Sequence, residues 1–274
     1  MSLTVEQRTN IDGWPKAGEL IEMSGTHPLE ASDRAILNIL YQHAHDSGRM
    51  TDPTAEWEIS LSEIRPSTHQ GNDRLYESLQ RLRRVEVTLC YYAPGKGNRE
   101  PEERILLTGL FDFFDISARE LEKRATLRFG LPKKLAPLLA RSGRWGRIKA
   151  EIVCAMGSKY AIALCETIML RANMDRCIET FPIDRFRELL GVPPGAYENG
   201  TNFMNKVVTP ALLEVNGLSD MGVAIQLNRR HLRAPIDSVT VSWWRKEGDE
   251  FRAALAERNK SKLGRMERLK SSAG

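Results

Sequence analysis

No run of about 18 apolar residues occurs in the 274-residue sequence, so no membrane-spanning helix is expected. The stretch from Met1 to Pro15 is polar and lacks an apolar segment of the kind that directs secretion. Cysteine is scarce: Cys90, Cys154, Cys165 and Cys177 have no CxxC spacing. Free thiols in a reducing cytoplasm are expected, and neither a zinc site nor a disulfide. Catalytic signatures are missing too. Gly95-Lys96-Gly97 lacks the spacing of a phosphate-binding loop, and neither GxSxG nor HExxH is present. His43-Ala44-His45 has the look of the paired-histidine metal motif of nicking nucleases. It continues a helical pattern, however, and residues two apart on a helix point about 200° apart. The expectation is a chain with no enzymatic activity, no cofactor and no metal; a nicking enzyme is the competing class.

Acidic residues are absent from Lys123 to Lys149, a stretch holding Lys123, Arg124, Arg128, Lys133, Lys134, Arg141, Arg144, Arg147 and Lys149. The first thirty residues lean the other way, with Glu6, Asp12, Glu19, Glu22 and Glu30 against Arg8 and Lys16. The formal net charge is only +4, so the basic stretch is a local feature that fits either a polyanion site or a solvated surface. Hydrophobic content of 41% and charged content of 28% are those of an ordinary folded chain long enough for two domains.

The elements read in the same order twice. In the first half Ser32 can cap a helix carrying Ile36, Ile39, Leu40 and His43, closed by Gly48 and Pro53. Trp57-Glu58-Ile59 is a short strand. Ser60 and Glu63 fit a capping box for a short helix ended by Pro66. Gly71-Asn72 opens a third helix with Leu75, Leu79 and Leu82 inward. Val85, Val87, Leu89 and Tyr91 then alternate with Glu86, Thr88, Cys90 and Tyr92, and after a polar loop Arg104 to Phe111 forms the second arm of a hairpin.

The second half repeats this order about 125 residues on, a spacing typical of one domain. Gly157-Ser158 starts a helix striped by Ala161, Leu164, Cys165, Ile168 and Ala172. Thr180-Phe181-Pro182 is a short strand, and Ile183 to Leu190 a helix ended by Gly191. Thr201 can cap the next helix, which buries Phe203, Val207, Val208, Ala211, Leu212 and Val215. Pro210 costs about 3 kcal/mol inside a helix, so a kink or a stop is expected there. Val223 to Leu227 and Ser238 to Trp243 make a second hairpin. Between the halves, Ala125 to Phe129 is a strand, Pro132 to Leu139 a short helix and Ser142-Gly143 a linker. The expected fold is α+β, with two tandem winged-helix (helix-turn-helix) domains at residues 1–141 and 142–246. A basic, partly disordered tail is expected at 247–274.

In a helix-turn-helix the leading part of the second helix enters the major groove. That places Thr201, Asn202, Asn205, Lys206 and Thr209 toward DNA in the second domain, and Asn72, Arg74, Ser78 and Arg81 in the first. Asn suits adenine and Lys suits guanine. Arg229, Arg230 and Arg233 form a basic wing tip. Lys133, Lys134, Arg144 and Arg147 would meet phosphates, which position without specifying.

Three segments carry a family resemblance. Ser158-Lys159-Tyr160 through Leu164-Cys165-Glu166 resembles an SKYxxxLYE helix, with Cys165 replacing an aromatic. Phe186-Arg187-Glu188-Leu189-Leu190-Gly191-Val192 resembles an "LRELLGV" stretch. Phe203 to Asn216, with Val207, Val208, Pro210, Ala211, Leu212, Glu214 and Asn216 in place, resembles an F-x-x-x-V-(V/L)-x-P-A-(I/L)-x-E-(I/L)-N helix, with Val215 at the last (I/L) position. Together they are similar to the iteron-binding plasmid replication initiators of the Rep 3 type. Arg124 to Leu139 resembles, more loosely, the end of that family's first domain. The resemblance implies double-stranded DNA as ligand (origin repeats and operator), no enzymatic activity and a bacterial cytoplasmic location. It implies dimers that repress their own promoter, monomers that initiate, and host partners such as an initiator ATPase and a replicative helicase. The first domain would contact the DNA backbone and dimerise; the second would read sequence. A winged-helix transcription regulator without an initiation role shares the same binding chemistry and stays open.

Overall fold

The computed structural model describes residues 12–65, 71–93, 100–116, 125–231 and 234–273. The chain enters through a strand, Trp14–Ala17 (β1), and one helical turn, Gly18–Ile21 (α1). The first apolar stripe forms Ala31–Asp46 (α2), which buries Ile36, Leu37, Leu40, Tyr41 and Ala44. Its cap is Glu30 and not Ser32. The Glu30 side chain accepts the Asp33 backbone N–H, and the Asp33 carboxylate accepts that of Glu30 at 2.8 Å. This acidic box satisfies the same donors as the usual one and places negative charge where the helix dipole favours it.

Glu56–Ser60 (β2) follows. The helix expected from Ser60 does not form: residues 61–63 are turns, and the Ser60 hydroxyl lies 2.7 Å from that of Ser62. Before Pro66 too few residues remain to offset helix nucleation. Asn72–Arg84 (α3) buries Leu75, Ser78, Leu79 and Leu82. Glu86–Ala93 (β3) and Glu102–Gly109 (β4) pair as the expected hairpin, from Glu86↔Gly109 to Ala93↔Glu102. Phe113–Ile116 (β5) and Thr126–Gly130 (β6) complete a separate sheet in the order β2-β6-β5. Leu135–Ala140 (α4) closes the first unit.

Trp145–Ile148 (β7) pairs antiparallel with β1, so the residues after the expected linker return to the start of the chain. Ala150–Ala155 (α5) leads into Lys159–Arg171 (α6). Ser158 caps α6, accepting the N–H groups of Tyr160 and Ala161 at 3.2 and 3.4 Å. A Cβ on Gly146 would stand 2.8 Å from the Leu170 nitrogen, so glycine is what lets β7 lie against α6.

The second unit runs through Ile178–Pro182 (β8) and Ile183–Leu190 (α7). Gly191 ends α7 in the left-handed region (φ 70°), with Val192 N–H reaching the Arg187 carbonyl and Gly191 N–H that of Glu188. This is the Schellman closure that the sequence signalled. Next come Gly200–Phe203 (α8), a π-helical turn at Met204–Val208, and Thr209–Leu218 (α9). The helix axis continues through Pro210, which stands at the start of α9. Met221–Asn228 (β9) and Ser238–Arg245 (β10) form the wing, and β8 joins them in the order β8-β10-β9. The architecture is α+β, two winged-helix units in tandem.

Two helices stand within residues 247–273, where a basic, partly disordered tail was expected. Gly248–Arg258 (α10) and Arg265–Ala273 (α11) are helices. Leu269 packs on Gly217, leaving no room for a Cβ there. Arg265 donates to the carbonyls of Ala155 and Lys260 at 2.7 and 2.8 Å.

The units share one contiguous apolar core. Charged groups are buried between them as well. Lys16 Nζ donates to Glu166 at 2.6 Å, and the side chains are 1% and 2% exposed. Asn38 Nδ2 donates to the same Glu166 oxygen at 2.7 Å, while Arg34 Nη2 reaches Thr26 Oγ1 at 2.8 Å. Burial pushes the Lys16 ammonium below its ordinary pKa, against the attraction of Glu166.

Candidate nucleic-acid interface

The leading end of the α8–α9 helix is prepared by its own loop. Asn199, and not Thr201, is the cap: its Oδ1 accepts the N–H groups of Thr201 and Asn202 at 2.8 and 3.4 Å. Arg187 steadies the same loop, donating to the carbonyls of Ala196 and Tyr197 and lying 5.1 Å from the Phe203 ring centre. Neither role was read from the sequence, although Asn199-Gly200 is a turn signal that could have marked the cap.

Thr201, Asn202, Asn205, Lys206 and Thr209 are all exposed, as their spacing predicted. Phe203, Val207, Val208, Ala211 and Val215 face the core. Among the described residues, no ion pair or side-chain hydrogen bond engages Asn205 or Lys206. The wing tip approaches the same end. A Cβ on Gly200 would meet Arg229 Nη2 and the Ile236 side chain at 2.6 and 2.7 Å, so glycine admits the wing against the helix. Arg229 also donates to the Ala234 carbonyl at 3.4 Å. Arg230 is 87% exposed, with Asp237 at 4.0 Å. Arg233 lies outside the described residues.

The corresponding helix of the first unit is differently arranged. Asn72 and Arg74 are exposed, and Arg65 donates to the Asn72 side chain. Ser78, expected outward, is fully buried, with its hydroxyl 3.3 Å from that of Ser32. It occupies the contact between α3 and α2. Arg81 bonds Asp33 through Nε at 2.7 Å and Nη2 at 3.0 Å. Those hydrogen bonds raise the Arg81 pKa further, although partial burial opposes them.

The basic stretch divides. Lys123 and Arg124 lie outside the described residues. Arg128 pairs with Glu56 at 2.6 Å and Asp115 at 3.3 Å. Arg144 bonds Glu22. Arg147 donates to the Gly13 carbonyl at 3.0 Å and lies 4.8 Å from the Trp145 ring centre. Lys149 pairs with Asp220 and Asp12 at 2.6 and 2.9 Å; burial lowers its pKa, but the two carboxylates outweigh it and leave the pKa raised. Lys133, Lys134 and Arg141 are exposed, and among the described residues no ion pair engages them. Of its described members, Arg128, Arg144, Arg147 and Lys149 are thus engaged by neighbouring groups of this chain, while Lys133, Lys134 and Arg141 form the exposed group.

The two histidines of His43-Ala44-His45 have separate surroundings. His43 packs 6.4 Å from the Phe129 ring, and His45 lies 6.3 Å from Trp14 and 3.2 Å from Asp46. Among the described residues, no group of three His, Cys, Asp or Glu side chains is placed to hold a metal. Among them, too, no helix is long and apolar enough to cross a membrane.

The fold defines a tandem winged-helix protein whose second unit exposes a polar helix beside a basic wing. Residues 182–243, from the end of β8 to β10, match the family described as "Initiator Rep protein, WH2". The match covers the second unit alone, so it is this domain that resembles the second winged helix of initiator Rep proteins. Its fold is similar to that of the Pi initiator protein solved in complex with iteron DNA. The TM-score is 0.56 at 12% identity, over 85% of this chain and 97% of that one. Domains 2 and 3 of RctB align at 12% identity and a TM-score of 0.48, over 80% of this chain and 83% of that one. No curated protein matches the chain in sequence.

Proposed function

We propose that the chain is a plasmid replication initiator that reads direct repeats of origin DNA with the helix Gly200–Leu218. The observation that carries this reading is the exposed row Thr201, Asn202, Asn205, Lys206 and Thr209, backed by the basic wing. Asn205 and Lys206 would face base edges, where a good bidentate pair contributes about 1–3 kcal/mol of discrimination. Arg229, Arg230 and Arg233 would follow the backbone or minor groove, and Lys133 and Lys134 would contact phosphates. In the first unit, Asn72 and Arg74 would add contacts from α3. The activity is binding without catalysis, in the bacterial cytoplasm, with an initiator ATPase and a helicase as host partners.

Residues 1–141 would also dimerise, giving a form that represses its own gene. The outer face of the hairpin supports this. Ile105 and Leu107 of β4 are 68% and 66% exposed, and Tyr92 and Cys90 of β3 are exposed beside them. Apolar side chains on an exposed edge strand favour pairing with another chain.

The test is selection of bound duplexes from a random-sequence pool by the purified protein. An enriched sequence that recurs as direct repeats beside the gene is expected. Enrichment of an operator without repeats would favour a transcription regulator, and no enrichment would overturn the reading.

A further inference from the structure

Pro210 was expected to kink or end the reading helix, and it does neither. Its ring would clash with the Lys206 carbonyl of an ordinary helical turn, and it has no N–H to give. The turn before it is widened instead. Thr209 N–H bonds to the Met204 carbonyl five residues back, and Met204–Val208 is π-helical. A π turn takes in one extra residue, and such bulges are frequent at functional sites.

The burial pattern records that extra residue. Leu218, Val215 and Ala211 face the core. Seven residues before Ala211, about two turns of an ordinary helix, stands Met204. Met204 is only half-buried, and the neighbouring Phe203 is 1% exposed in its place. The leading turn is thus rotated by about one residue's step, ~100°, relative to the rest. In an unbroken α-helix Thr201 would lie on the flank. With the π turn it lies on the side away from the core, in line with Asn205, Lys206 and Thr209, and all four are exposed.

We propose that this π turn, held open by Pro210, is a positioning element for sequence recognition: it brings Thr201 onto the same DNA-facing stripe as Asn205, Lys206 and Thr209. The inference rests on the reading that this helix contacts DNA. It adds Thr201 as a residue whose contribution depends on the bulge.

The experiment measures binding to the selected duplex and to a scrambled competitor, alongside thermal melting. The variant Phe203→Met/Met204→Phe/Pro210→Ala puts the large apolar side chain where an unbroken helix would bury it and restores the missing N–H. It is expected to fold and to lose about tenfold in discrimination while keeping its affinity for competitor DNA. Thr201→Ala, a surface change, is expected to lose about fivefold in specific affinity with unchanged melting. A folded register variant that discriminates like the wild type overturns the proposal. So does a Thr201→Ala protein with unaltered specificity, which decides the matter even if the register variant fails to fold. Asn205→Ala/Lys206→Ala separates the two levels. If it leaves discrimination intact, the DNA-reading assignment itself is wrong. If it abolishes discrimination while both other variants keep theirs, only the role of the bulge is wrong.

Discussion

The helices α3 and α8–α9 hold the same place in their two units, yet their polar residues do different work. Arg81 of α3 is held by two bonds to Asp33, and Ser78 is buried against α2. Asn205 and Lys206 of the second helix are exposed on a surface whose core side is fully packed. An arginine already bonded to a carboxylate must give up charge-assisted hydrogen bonds, each of about 1.5–3 kcal/mol, before it can bind a phosphate or a base. A lysine in water has no such cost beyond its own ordering. The first helix is therefore built to be held, and the second to hold something else.

That contrast requires the two units to stay fixed to each other, and the Lys16–Glu166 pair is a fully buried polar tie between them. Removing one member of a buried pair leaves the other charged and unpaired, at a cost of about 3–5 kcal/mol. Lys16→Met should therefore lower stability by that order in denaturant unfolding. It should weaken binding to the full selected site more than binding to a half-length one. Unfolding at wild-type denaturant concentration would show that the pair ties nothing together.

A crossed experiment tests the comparison directly. Asn205→Ala/Lys206→Ala should cost about 1–3 kcal/mol of discrimination between selected and scrambled duplexes while leaving melting unchanged. Arg81→Ala should do the reverse. It strands Asp33, which is 0% exposed, and should cost about 1–3 kcal/mol of stability with discrimination intact. If Arg81→Ala instead relaxes sequence preference, the first helix is a reader and the contrast collapses.

Lys133→Gln/Lys134→Gln concerns the sequence-independent part of binding. Each phosphate that is no longer neutralised should reduce the slope of log affinity against log salt by about 0.9. A drop of up to about two is expected, with the ranking of DNA sequences preserved. An unchanged slope would remove these lysines from the interface.

How much of this was legible depended on sequence distance. Gly191, three residues beyond the Phe186–Glu188 turn, announces the end of α7 by itself, and the bounds of α7 match the expected ones. The exposed row on the second helix followed from spacing alone. The π turn did not, because Phe203, Val207, Val208 and Ala211 satisfy an ordinary helical stripe almost as well as a widened one. Arg81 and Ser78 were misplaced outward because their partners, Asp33 and Ser32, lie on another helix more than forty residues away. The basic stretch misled for the same reason. Its acid-free run says nothing of Glu22, Glu56, Asp115 and Asp220, which reach it from elsewhere. The pairing of β1 with β7 likewise joins segments that carry no strong strand pattern of their own.

The smallest effect is expected at Glu22, where acid should act on the junction between the units. Its carboxylate accepts from Arg144 and, at 2.6 Å, from Arg171. Arg171 also binds Glu179 at 2.6 Å, and Arg185 donates to the Glu22 carbonyl at 2.9 Å. Burial favours the neutral acid, but the two guanidinium groups outweigh it and hold the Glu22 pKa below its ordinary 4.5. A carboxylate whose folded pKa is depressed adds stability that is fully present above the unfolded value. That stability is lost as pH falls through the folded one. Wild-type melting should therefore fall as pH drops below about 4.5, partly through this group, and Glu22→Gln should show a shallower decline over that range. Glu22 belongs to neither α3 nor the α8–α9 helix, so the substitution should leave discrimination at neutral pH untouched. Parallel melting curves for the two proteins in acid would show that Glu22 does not titrate with folding.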